Sequence, residues 1–92
     1  MLESTIVKEI MDYLRIMDKC FVWKNHGGQF ARIGLPDIIA ILDGHAYAFE
    51  VKRPGNTPTK LQQATLRKLR NAGATAEVVY SLEDVIQLII KA

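Results

Sequence analysis

Asp43-Gly44, set between two apolar runs, constrains this chain more than any other pair of residues. Asp-Gly in that setting predicts a two-residue hairpin loop of type I′, because both residues tolerate the positive φ the turn requires. The turn also fixes a register. With Asp43 and Gly44 as the loop, Leu42 faces His45 and Asp37 falls opposite Glu50. Opposed residues project to one face, with Cβ atoms about 4.5–5.5 Å apart. The period of two adds Lys52, Ile39, Ile41, Ala46 and Ala48 to that face. Ile38, Ala40, Leu42, Tyr47, Phe49 and Val51 take the other. Both faces are apolar, so strands 37–42 and 45–52 are expected to be central and covered on two sides.

The flanking segments supply the rest of an α/β domain. Residues 3–18 read as an amphipathic helix with Ile6, Ile10, Tyr13, Leu14 and Met17 on one stripe. Glu3 falls inside that stripe, one turn before its apolar residues, where a first-turn acid is also favoured by the helix dipole. Glu9, at the stripe edge, is expected in solvent. Residues 20–25 read as a strand and 26–36 as a loop opened by His26-Gly27-Gly28. A helix over 58–72 accepts Pro58 in its first turn, stops at Gly73, and buries Leu61, Thr65, Leu69 and Ala72. A strand over 75–80 and a helix from 82 to 91, capped by Ser81 with Asp84 at its third position, complete the order α-β-β-β-α-β-α. The expected fold is a mixed four-stranded sheet flanked by helices, with the last strand parallel to the third.

At 92 residues the chain is expected to be a single domain, 1–92, with one core. Hydrophobic residues at 49% and charged residues at 24% exclude a disordered chain. No apolar run approaches the ~20 residues of a membrane helix. No secretory leader is expected from Met1-Leu2-Glu3-Ser4. The single Cys20 excludes an internal disulfide and reads as a small core residue in a reducing compartment. The net charge of +2 is unevenly spread. Residues 37–50 carry three acids and no base, while 51–76 carry six bases and no acid. An acidic block beside a basic one suggests a carboxylate site next to a surface for a polyanion.

Opposed carboxylates at Asp37 and Glu50 cannot stay charged and unpaired in a half-buried place. They can share a proton, pair with a base such as Lys52, or bind a hard divalent cation. Oxygen ligands suit Mg²⁺ or Mn²⁺ and not zinc. Lys52, protonated, is no ligand, but it can position or activate a water or stabilise charge on a phosphoryl oxygen.

With Pro36-Asp37 and Glu50-Val51-Lys52 both intact, these residues match the PD-(D/E)xK nuclease signature. Further matches make the sequence resemble the VRR-NUC family of virus-type replication and repair nucleases. Glu3 opens the first helix as Glu-x-x-Ile. Trp23-Lys24-Asn25-x-Gly27 is similar to the family's basic-Asn-x-Gly element. Thr59-x-x-Gln62, with Leu66, Leu69 and Gly73, looks like its Ser/Thr-x-x-Gln helix, with Thr where Ser is common. The resemblance covers nearly the whole chain and looks like the stand-alone phage and bacterial type.

The resemblance implies a restriction-endonuclease-like core and a Mg²⁺- or Mn²⁺-dependent DNA endonuclease giving 5′-phosphate and 3′-hydroxyl ends. Asp37, Glu50 and the Val51 carbonyl would ligate the metal, with Glu3 reaching it directly or through a water. Lys52 would orient or deprotonate the attacking water, and Gln62 would hold Lys52, the water or a phosphate. Lys24, Asn25, His26, Arg32, Arg53, Lys60, Arg67 and Arg70 are the expected DNA contacts. His45 is expected to be an exposed hairpin residue and Trp23 a core residue. The implied substrate is branched DNA, with four-way junctions cut by a homodimer in the cytoplasm of a bacterium or phage-infected cell. The alternatives are a flap-type or nonspecific nuclease of phage replication, a catalytically silent DNA-binding module, and a small interaction domain whose charged cluster is structural.

Overall fold

The computed structural model describes residues 1–25 and 34–92. His26 and Arg32, both expected to touch DNA, lie outside the described residues, as does Gly27. The elements run α1 (Glu3–Arg15), β1 (Cys20–Lys24), β2 (Ile38–Leu42), β3 (His45–Val51), α2 (Lys60–Asn71), β4 (Thr75–Val79) and α3 (Leu82–Lys91). The order is the expected one. The strands form a single mixed sheet in the order β1-β2-β3-β4. β1, β2 and β3 are antiparallel neighbours, and β4 runs parallel to β3.

The hairpin has the expected register, with Leu42 paired to His45 and Ile38 to Phe49. Asp43 and Gly44 both hold positive φ, 50° and 83°, the backbone signature of the type I′ turn. α1 buries Ile6, Ile10, Met11 and Leu14. It ends at Arg15, three residues before the expected boundary at 18, because the chain turns there and Lys19 adopts a left-handed φ of 56° to enter β1. α2 begins at Lys60 and not at Pro58. Thr59 caps it, its hydroxyl accepting from the Gln62 N–H while the Gln62 side chain accepts from the Thr59 N–H. This reciprocal pair satisfies two backbone donors that a helix start otherwise leaves open.

The two faces of the sheet are covered unequally. Ile38, Ala40, Tyr47, Phe49 and Val51 form the main core with α1 and α3. On the other face Leu66 of α2 packs with Ala48 and Ala76. The expected buried side of α2 needs correction: Leu66 is its buried residue, whereas Leu61 is 50% exposed. Two-sided cover also holds only for part of the sheet. α2 links β3 to β4 and lies over those strands, so Phe21 stays 70% exposed and Trp23 38% exposed, with Ile41 beside them. Trp23 is therefore not a core residue; its ring leans against Phe21 at 5.7 Å between centroids. No helix among the described residues is long and apolar enough to cross a membrane.

Candidate functional site

The site is built where β1 and β3 end and β2 begins. Asp37 stands immediately before β2 and is held at both ends of the residue. Its backbone carbonyl accepts from the Asn25 N–H at 2.9 Å. Its side-chain Oδ2 accepts from the Val51 N–H at 2.8 Å. The Asn25 side chain adds a third restraint, donating from Nδ2 to the Pro36 carbonyl at 2.6 Å. Upstream, Gly34 has φ +87°, and a Cβ there would stand 2.8 Å from Leu61 Cγ. A side chain at 34 would meet both the left-handed penalty and α2. The segment that delivers Asp37 is thus fixed against β1 on one side and α2 on the other.

Glu50 is the buried charged residue of the described chain, 3% exposed on β3. The Lys52 ammonium lies 3.8 Å from its Oε2. The Lys52 N–H continues the parallel ladder by donating to the Val79 carbonyl at 3.0 Å. Burial pushes the Glu50 carboxyl up to about 8, and hydrogen bonding and charge from Asp37 push the same way. Lys52 opposes that rise, while the Glu3 charge adds to it. Asp37 and Lys52 both stand close to Glu50, so two of the three ways out, a shared proton and a neighbouring base, are at hand. Both carboxylates keep hard oxygen atoms facing one place, which is the donor chemistry a divalent cation takes.

Glu3 opens α1, half-buried, and its charge is felt at Glu50. The described residues contain no group of three or more His, Cys, Asp or Glu side chains placed to hold one ion. Asp37 and Glu50 are the paired element of the site, with the Glu3 charge near enough to act on Glu50. Val51, fully buried between Glu50 and Lys52, gives its N–H to Asp37. The Gln62 Oε1 is occupied by the capping box and makes no hydrogen bond to Lys52. The pattern Thr-x-x-Gln announces that capping box in the sequence.

The expected DNA contacts divide. Lys24, Arg53, Lys60 and Arg67 are exposed. Two others are engaged inside the protein. Asn25 restrains the Pro36-Asp37 segment. Arg70 donates from Nε to the Ala76 carbonyl at 2.7 Å and pairs with Glu77 at 3.3 Å, tying α2 to β4. His45 is half-buried and not an exposed turn residue, its Nε2 2.8 Å from the Thr75 hydroxyl and its ring edge-on to Tyr47. Cys20 packs against the core, where burial pushes its thiol up and away from the reactive thiolate.

A cleft of about 320 Å³ opens between α1 and the end of β1, with Asp37 in its lining. In the sequence its α1 residues read as a plain solvated face, because a groove between elements has no signature in either element alone.

No protein-family profile matches the sequence, and no curated protein matches it. Among solved structures, one named "VRR_NUC domain" superposes with a TM-score of 0.77 at 27% identity, covering 95% of this chain and 92% of that one. In fold and over nearly its whole length the chain is similar to VRR-NUC domains. A second structure, named "VRR_NUC domain protein", shares the fold with a TM-score of 0.73 at 20% identity, over 99% of this chain and 87% of that one. VRR-NUC is a family of nuclease domains that generally use divalent metals. The Asp37–Glu50 pair fits such a cation: two carboxylates whose mutual repulsion a cation would relieve, with no thiolate or imidazole among them.

Proposed function

We propose that this chain is a divalent-metal-dependent endonuclease that hydrolyses phosphodiester bonds in DNA. The observation that carries the reading is Asp37 paired with buried Glu50, with the Lys52 ammonium 3.8 Å away, at the end of the hairpin. Asp37 and Glu50, with the Val51 carbonyl, would hold Mg²⁺ or Mn²⁺, and Glu3 would act through a water. A bound cation supplies Lewis-acid stabilisation of the charge that builds on the phosphoryl oxygens. Lys52 is a donor only, so it orients the attacking water and holds a phosphoryl oxygen. Gln62 keeps its side-chain amide nitrogen for a phosphate or water. Lys24, Arg53, Lys60 and Arg67 position the backbone without reading sequence.

The finer reading is recognition by shape: a homodimer of this single domain, cutting four-way junctions with two sites related by a two-fold axis. Exposed cations, with no base-reading helix beside the carboxylates among the described residues, support it. The test is cleavage of four-way, flap, nicked and linear DNA in Mg²⁺, Mn²⁺ and EDTA, with light scattering for oligomeric state. Cleavage is expected with either metal and not in EDTA, lost in Asp37→Ala and reduced on the order of 10²–10³-fold in Lys52→Ala. Binding without cleavage under every condition would overturn the enzyme reading. Equal rates on linear duplex would overturn the junction reading and leave a nonspecific nuclease, and a preference for flaps would favour the flap-type alternative.

A further inference from the structure

We propose that the cleft between α1 and the end of β1 carries one strand of DNA backbone away from the Asp37–Glu50 site, with Lys8, Arg15 and Lys24 as its phosphate contacts. The inference rests on the nuclease reading and adds a path for its substrate. The cleft is lined by Ser4, Lys8 and Arg15 of α1, by Lys24 and Asn25 at the end of β1, and by Asp37. The α1 residues fall on one side of that helix, so they face a single groove. From Ser4 to Arg15 the helix rises about 16 Å. Measured along the axis of a duplex, that length spans about four or five base-pair steps.

Three cations, Lys8, Arg15 and Lys24, and one carboxylate, Asp37, line the groove. Asp12 holds the Lys8 ammonium at 2.6 Å and the Arg15 guanidinium at 3.9 Å. One carboxylate between two cations leaves a positive charge over and holds both long side chains near the helix surface. Lys24 has no carboxylate partner among the described residues, which adds a second. The Ser4 hydroxyl and the Asn25 end of β1 bring polar groups close to Asp37. Val7 and Met11 form an apolar floor suited to sugar faces and unsuited to a free anion. The groove thus carries more positive than negative charge, with Asp37 in its wall.

It also lies on the opposite side of the sheet from α2. Lys60 and Arg67 of α2 accompany the face that carries Ala48, while α1 covers the face that carries Phe49. A strand placed at Asp37 therefore meets cations on both sides, and the α1 side is hidden in the sequence by the acids Glu3, Glu9 and Asp12.

The test is fluorescence-anisotropy binding of labelled duplex and four-way DNA in EDTA, across a salt series, with cleavage in Mg²⁺ in parallel. The triple variant Lys8→Gln/Arg15→Gln/Lys24→Gln should bind at least about tenfold more weakly at low salt. Its slope of log affinity against log salt should fall by about 2–3, at 0.7–0.9 per lost phosphate contact. Lys24→Gln alone should give about a third of the change in slope, and Lys19→Gln/Lys91→Gln should give none. An unchanged affinity and slope in the triple variant, while the parent chain binds and cleaves, would overturn the track and leave the nuclease reading standing. A parent chain that neither binds nor cleaves DNA would overturn both.

Discussion

Glu50 bears the electrostatic cost of the site. Its carboxyl is buried, faces Asp37, and is pushed up to about 8 from an ordinary 4.5. Between those values the folded protein binds more protons than the unfolded chain, so this residue's contribution to stability falls as pH rises. It is fully present below about 4.5 and lost by about 8. The metal-free protein is expected to melt lower at pH 8.5 than at pH 6.5. Mg²⁺ should restore more of that loss at the higher pH, because it binds the ionised pair. Glu50→Gln should flatten this part of the profile and melt several degrees above the parent at pH 8, at about 4–8 °C per kcal/mol, while cleaving no DNA. Calorimetry checks the sign, and a Glu50→Gln variant that melts lower at pH 8 would refute the burial account. At this scale Asp37, Glu50 and Lys52 are legible in the sequence because one short turn sets all three. The roles of Asn25 and Arg70 are not. A polar side chain at the end of a strand or on a helix face reads equally well as a ligand contact or as a backbone clamp. The partner that decides between them is the Pro36 carbonyl in one case and the Ala76 carbonyl in the other.

At the level of elements, β1 serves the site chiefly through Asn25, the residue just past its end. Asn25 prolongs the β1–β2 ladder by one bond and grips the Pro36 carbonyl, so the Pro36-Asp37 peptide is fixed before β2 begins. Removing its half-buried side chain costs a hydrogen bond and leaves a carbonyl without its donor, about 1–3 kcal/mol. Asn25→Ala is expected to lower the melting temperature and weaken Mg²⁺ affinity by titration, with metal-free DNA binding within about twofold. A DNA contact would give the reverse pattern. Helix ends are the least legible parts of the elements. α1 stops where Lys19 must turn the chain into β1, and α2 starts where Thr59 and Gln62 close on one another. Periodicity puts Leu61 on the buried side of α2, where the structure buries Leu66. Both are leucines, and only packing on Ala48 and Ala76 separates them.

Across the whole molecule, element order, strand direction and the hairpin register follow from hydrophobic periodicity and turn chemistry. The bare β1–β2 half of the sheet does not. Ile39, Ile41, Phe21 and Trp23 share one face, and their hydropathy predicts cover. Whether cover arrives depends on where the β3-to-β4 crossover lays α2, which is a property of connectivity. The Asp43-Gly44 turn has a consequence of a different kind. Twelve residues separate Asp37 from Glu50, and successive side chains alternate between faces. The site is therefore encoded as a parity. Asp43→Asn, which preserves the positive φ, should retain cleavage within about twofold. One glycine inserted within β3, between Ala46 and Tyr47, should abolish it, because an odd count inside the strand carries Glu50 into the layer beneath α1. Chains descended from this one are free to respell the turn, but an insertion within the strand beyond it behaves like a frameshift, leaving every residue intact and the site unreadable.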